Sequence, residues 1–148
     1  MEAWKGDLPP TLRLMADLSE LVEAVEWFDR FPTVGYNLRL RTGWTISVRM
    51  GPGTYSEYRW AIDDIMVPED DAETRARLTD TWKRSATAEI AAFDAEGWWW
   101  DWSAAKSVRS STDGDTILGY QDTHDLMVAV LALPDLRPPG LTGGHRGR

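Results

Sequence analysis

Few side chains in this sequence have the type and spacing for covalent or acid–base chemistry. The two histidines, His124 and His145, fall in a predicted helix turn and in a Pro/Gly/Arg-rich tail. A zinc-type site needs several such ligands converging on one point, and neither His is placed as a base beside a nucleophile. With no Cys, thiol catalysis, disulfides and thiolate metal sites are excluded. Asp94, Glu96 and Asp101 lie along one predicted hairpin. A carboxylate in a turn and another on a solvated strand face serve local structure rather than an acid/base pair. The serines form no nucleophile elbow. The Gly-rich stretch GPGTYSE at 51–57 invites comparison with a phosphate cradle, but it lacks the GK[ST] ending and a helix start behind it. It reads as a turn that redirects the chain. No catalytic group, cofactor or metal is therefore expected.

Binding chemistry is better represented. Asp63, Asp64, Glu69, Asp70, Asp71 and Glu73 follow one another without a basic residue. The alternating ligands and central Gly of a calcium loop are missing. Two readings stay open: an acidic helix entrance, with Asp70 and Glu73 capping a helix over 72–84, or an acidic surface for a basic partner. The net charge is -8, and the tail at 134–148 is net positive, so the body is more acidic than the whole. Such a body is repelled by phosphate backbones, and no direct nucleic-acid binding is expected. Nine tryptophans are present, as core filler or as contact anchors.

The segment 86–103 organises the elements that must position these groups. A three-residue loop, Ala95-Glu96-Gly97, makes a hairpin that pairs Asp94 with Trp98, Phe93 with Trp99, Ala92 with Trp100, Ala91 with Asp101 and Ile90 with Trp102. Trp98, Trp100 and Trp102 then face the core, while Phe93 and Trp99 lie on the solvated face. A second hairpin over 36–50 alternates apolar and polar residues, and the loop Arg41-Thr42-Gly43 pairs Leu40 with Trp44 and Leu38 with Ile46. Ahead of it, Asp17 with Glu20 as capping-box partner starts a predicted helix, with Leu18, Leu21, Val22 and Val25 on one face and Pro32 as its stop. Trp27 falls on the polar side of that helix, exposed or covered by another surface. Residues 58–67 read as an irregular strand burying Trp60, Ile62 and Ile65. A strand over 116–120 precedes a last helix from Asp122 or Thr123 to Leu133, with Leu126, Met127, Val130, Leu131 and Leu133 buried.

A chain of 148 residues is ordinarily one domain, able to bury roughly 70% of its unfolded surface. The expectation is an irregular arm at 1–15, a single α+β domain at 16–133 and a disordered tail at 134–148. The domain is an antiparallel sheet of four or five strands with amphipathic helices packed on the tryptophan face, in the order α-β-β-α-β-β-β-α. Neither a membrane span nor a signal peptide is indicated, which places the chain in the cytoplasm.

The blocks WTISVRMGPGTYSE, TAEIAAFDAEGWWW and ILGYQDTHDLMVAVL together resemble consecutive blocks of a family of small tailed-phage proteins. In that family a strand enters a Gly-containing Tyr loop, an AEIA-type hairpin follows, and a Gly-aromatic step leads into a terminal helix. This sequence departs from the pattern at Thr54-Tyr55-Ser56, where the family has Asn-Tyr-Cys, and in a longer acidic insert before Ala86. The resemblance implies an α+β domain of phage or prophage accessory type and brings no catalytic residue.

The function these features predict is a non-enzymatic protein-binding domain acting on a host or defence protein. The alternatives are an immunity protein that neutralises a toxin and a small-ligand module, and self-association is compatible with each. On the open sheet face, Arg39 and Arg49 come near Glu89 and Asp101, with Phe93 and Trp99 as apolar contacts among them. Trp27 and the acidic residues Asp63, Asp64, Asp70 and Asp71 are the other candidate contacts.

Overall fold

The computed structural model describes residues 20–105, 108 and 116–136. Five strands form one antiparallel sheet in chain order: β1 (Val22–Arg30), β2 (Thr33–Leu40), β3 (Thr45–Met50), β4 (Ala88–Phe93) and β5 (Leu118–Gln121). Helix α1 (Ala72–Trp82) lies between β3 and β4, and α2 (Thr123–Ala132) follows β5. The α+β class and the antiparallel sheet are as expected.

Alternation builds the core. Val34, Tyr36, Leu38 and Leu40 of β2, Ile46, Val48 and Met50 of β3, and Ala88, Ile90 and Ala92 of β4 are all buried. They share one face through the cross-strand rows Leu38–Ile46–Ala92 and Tyr36–Val48–Ile90. Trp82 from α1 and Leu126, Ala129 and Val130 from α2 complete the same buried cluster. Both hairpin turns are as the sequence predicts. Gly43 N donates to Leu40 O (3.1 Å) and Gly97 N to Asp94 O (3.0 Å), and both glycines take positive φ, 103° and 87°.

Four expectations are corrected. Residues 22–30 form a strand, not a helix. A β-bulge between Val22 and Ala24 shifts the register so that Val22 (opposite Leu40) and Val25 (opposite Leu38) both face the core. The central hairpin is shorter than predicted: it ends at the bridge Phe93↔Trp99 and the bond from Trp100 N to Ala92 O, 2.8 Å. Beyond it the chain turns away into the 3-10 turn Trp102–Ala104, and Leu118 of β5 takes the place opposite Ile90 that the sequence assigns to Trp102. Trp102 is nonetheless buried, its indole N–H donating to Thr116 O at 3.2 Å. Trp98 is exposed rather than in the core, because the β3–β4 ladder ends at Thr45 and Phe93 and the Asp94–Trp98 pair projects past it. Residues 58–67 form no strand; they carry the 3-10 turn Ile62–Met66.

Smaller differences follow from packing. Asp71, rather than Asp70 or Glu73, caps α1. Asp122 caps α2 in a reciprocal capping box with Asp125, and Leu131 on that helix is exposed. Part of the expected disordered tail is seated on the β2–β3 turn: Leu136 N donates to Thr42 O (2.7 Å) and the Trp44 indole to Pro134 O (2.7 Å). The arm at 1–15, the start of the predicted helix at Asp17 and the tail from 137 lie outside the described residues. No helix among the described residues is long and apolar enough to cross a membrane.

Candidate functional site

The sheet face turned away from the core holds two kinds of row. In one, Arg49 and Glu89 sit opposite each other across β3 and β4. The Arg49 guanidinium lies 3.7 Å above the centre of the Phe28 ring, and Nη1 donates to Tyr36 O, Asn37 Oδ1 and Val48 O at 3.2 to 3.3 Å. Burial removes water from this cation and lowers its pKa to about 10, with the Glu89 charge opposing the shift, so it stays protonated at neutral pH. Glu89 Oε1 accepts from Tyr55 N at 3.0 Å. Gly35, between Phe28 and Arg49 in this row, leaves the space they use: a Cβ there would lie 3.0 Å from Phe28 Cζ and 2.0 Å from Val48 O. Arg49 and Glu89 thus tie β1 to β4 and to the loop at 51–60.

The other row runs Arg39–Thr45–Phe93 and continues to Trp99 through the Phe93↔Trp99 bridge. The Phe93 and Trp99 rings meet edge to face at 5.5 Å, Trp99 is 56% exposed and Arg39 is exposed. Between the two rows lie Asn37, Ser47 and Ala91, the last two buried. Arg39, Phe93 and Trp99 are therefore brought together as predicted, whereas Asp101 is not on this face. It caps the turn at Trp102–Ala104 by accepting from Ser103 N (2.9 Å), and those hydrogen bonds hold its carboxyl below the usual value.

The tip of the hairpin exposes Trp98 as well as Trp99. Asp94 fixes it, with Oδ1 accepting from Glu96 N (2.9 Å) and Trp98 N (3.0 Å) and the backbone N donating to Trp98 O (3.0 Å). Trp27 lies elsewhere. It stands opposite Tyr36 on β1, the ring centroids 5.1 Å apart, with Lys83 Nζ 5.9 Å from its ring and paired to Asp29 at 2.8 Å.

The acidic stretch belongs to a third surface. Buried Thr54 donates to Gly51 O or shares its hydroxyl with Ser56 (2.8 and 2.7 Å), and Tyr55 O accepts from Tyr120 N (2.8 Å), which stitches this loop to β5. The Arg59 guanidinium lies 4.0 Å above the Tyr55 ring and 5.0 Å from the Trp60 ring. Past Trp60, the turn Ile62–Met66 buries none of its residues. Trp60 is 78% and Met66 80% exposed, and Ile62 and Ile65 are exposed with them, contrary to the expected burial of Trp60, Ile62 and Ile65. Asp63 and Asp64 sit in the first turn, and Asp70 is exposed. Hydrogen bonding to the Thr74 side chain, and then to its backbone N at 3.2 Å, holds the Asp71 carboxyl below its usual value. The spacing carries no signal of this exposure, because Ile62, Ile65 and Met66 stand at i, i+3 and i+4, as on a buried helix face.

Two further features complete the surface. A shallow depression of about 450 Å³ at the β1–β2 turn is lined by Phe28, Arg30, Phe31, Pro32 and Thr33. Asp122, His124 and Asp125 bring ligating atoms within 4.8 Å of one another. The two carboxylates are engaged in the α2 capping box, accepting from each other's backbone N–H at 2.9 and 3.0 Å.

Comparison of the chain with protein-family models, curated proteins and solved structures finds no match.

Proposed function

We propose that the chain is a non-enzymatic protein-binding domain of phage accessory type, acting in the host cytoplasm on a host or defence protein. The observation that carries this reading is the pair Trp98 and Trp99, 69% and 56% exposed at the tip of a turn closed by Asp94. Apolar surface held in water costs about 25 cal/mol per Å², which contact with a partner would recover. Aromatic anchors on a fixed backbone supply most of the energy in protein interfaces. Phe93 widens the apolar centre and Arg39 adds a polar rim on the same face. The choice of a host or defence target rests on the resemblance to tailed-phage proteins. Neutralisation of a basic toxin is the second reading, favoured by the exposed acids Asp63 and Asp70.

The test is cross-linked affinity purification from the natural host, with the wild-type chain beside a Trp98→Ala/Trp99→Ala variant of similar unfolding temperature. A protein recovered with the wild type and lost with the variant supports the reading. Equal recovery with both removes the hairpin tip from it, and a turnover activity without any specific partner overturns it.

A further inference from the structure

The loop between β3 and α1 has a property that the core does not explain. Four large apolar side chains, Trp60, Ile62, Ile65 and Met66, stand in water along a turn with no buried residue. The backbone beneath them is nonetheless tied at both ends. At the start, the Trp60 ring lies against Arg59, Arg59 against the Tyr55 ring, and Tyr55 is bonded to β4 through Glu89 and to β5 through Tyr120. At the end, Arg75 of α1 donates to Val67 O (2.8 Å) and Pro68 O (3.1 Å). A backbone held at both ends has less freedom to lose on binding, which lowers that part of the cost of association.

We infer that this ridge docks a basic amphipathic peptide segment of a partner protein. The apolar side chains ask for apolar contact, and charge selects what surrounds it. Between Arg59 and Arg75, which hold its two ends, the chain carries Asp63, Asp64, Glu69, Asp70, Asp71 and Glu73 and no Lys or Arg, so acids outnumber cations along the ridge. A second copy of the same ridge would set acid against acid, and nucleic acid or an anionic lipid surface would be repelled. A helix or strand with an apolar stripe flanked by Lys and Arg satisfies both demands. The inference rests on the protein-binding reading but uses a surface separate from Trp98 and Trp99.

A random peptide display library is panned on the immobilised full chain, and the enriched pool is scored both before and after counter-selection on a Trp60→Ser/Met66→Ser variant. Enriched peptides are expected to carry Lys or Arg beside large apolar residues. Trp60→Ala and Met66→Ala should each weaken their binding about tenfold or more, with unfolding temperature nearly unchanged because both side chains are exposed. Asp63→Asn with Asp70→Asn should weaken binding and flatten its salt dependence, while Trp98→Ala/Trp99→Ala should leave it intact. Peptides without a basic excess, binding indifferent to Trp60 and Met66, or no enrichment over the counter-selected variant would overturn the inference. Peptides lost only with the Trp98→Ala/Trp99→Ala variant would refute the ridge yet keep the broader reading; peptides indifferent to both surfaces would count against both.

Discussion

Replacing Gly35 by Ala tests how the open face is held. An added Cβ would lie 2.0 Å from Val48 O and 3.0 Å from Phe28 Cζ. The first contact is with backbone, so no side-chain rotation relieves it, and β2 must move away from β3 by more than about 1 Å at the Gly35–Arg49 pair. Overpacking of this kind costs about 1–3 kcal/mol. Displacing Phe28 also loosens its stack with Arg49, worth about 0.5–1 kcal/mol at a partly exposed site. The sum is about 3 kcal/mol, or a fall of about 6–12 °C in Tm for a domain of this size. Gly53→Ala is the control. Its Cβ would meet nothing within 4 Å, but φ is 82°, so the cost is conformational alone, about 1 kcal/mol. Thermal unfolding followed by circular dichroism reads both variants. If Gly35→Ala is no less stable than Gly53→Ala, close approach of strands is not what requires glycine at 35, and the packing described for Phe28 and Arg49 is wrong.

Other outcomes follow from the same geometry. Asp94→Ala should cost about 2 kcal/mol, because two bonds to a carboxylate are lost, while Asp94→Asn keeps one acceptor and should cost less; chemical denaturation separates them. Trp99→Ala should lower stability by about 1 kcal/mol through the lost ring pair with Phe93, yet weaken a genuine partner by about 2 kcal/mol or more; parallel unfolding and affinity measurements check the contrast. The Asp71 carboxylate, stabilised in the fold by Thr74, has a folded pKa below its unfolded value. Its contribution is therefore present above the unfolded pKa and is lost as pH falls through the lower, folded one. Helicity should decline on acidification below about pH 4, and Asp71→Asn should remove that part of the decline. Lys83→Ala breaks a solvent-facing pair with Asp29 and should cost less than about 1 kcal/mol, while changing Trp27 fluorescence.

The hairpins at 33–50 and 88–100 were legible because two local signals agree there: apolar residues at period two, and a glycine at the position each turn needs with positive φ. β1 was not legible, because its bulge puts Val22 and Val25, three apart, on one side of the sheet, and that spacing copies a helix face. The short hairpin arm had a different cause. Trp98 to Trp102 alternate as a strand would, but which segment occupies the free side of β4 is a long-range choice, and Leu118 takes it. Of the candidate residues, Arg39, Phe93 and Trp99 were placed together by register alone. Asp101 was misplaced with the strand it was assigned to, and Arg49 sits where expected, although its hydrogen bonds to Tyr36, Asn37 and Val48 are visible only in three dimensions. Apolar residue type suggested burial for Trp60, Ile62 and Ile65, and only the fold shows them outside.

The order of strands in the sheet is the order in the chain, from β1 to β5. Each strand therefore joins an edge that already exists, and none has to be threaded between two others. A chain emerging from the ribosome can add strands as they appear, since every pairing waits only on the segment just made. Ribosome-stalled chains just long enough to bring Met50 clear of the exit tunnel would then show protected amides in β2 and β3 while α1 is still enclosed, and their absence would show that the sheet assembles only once the helices are available to cover it.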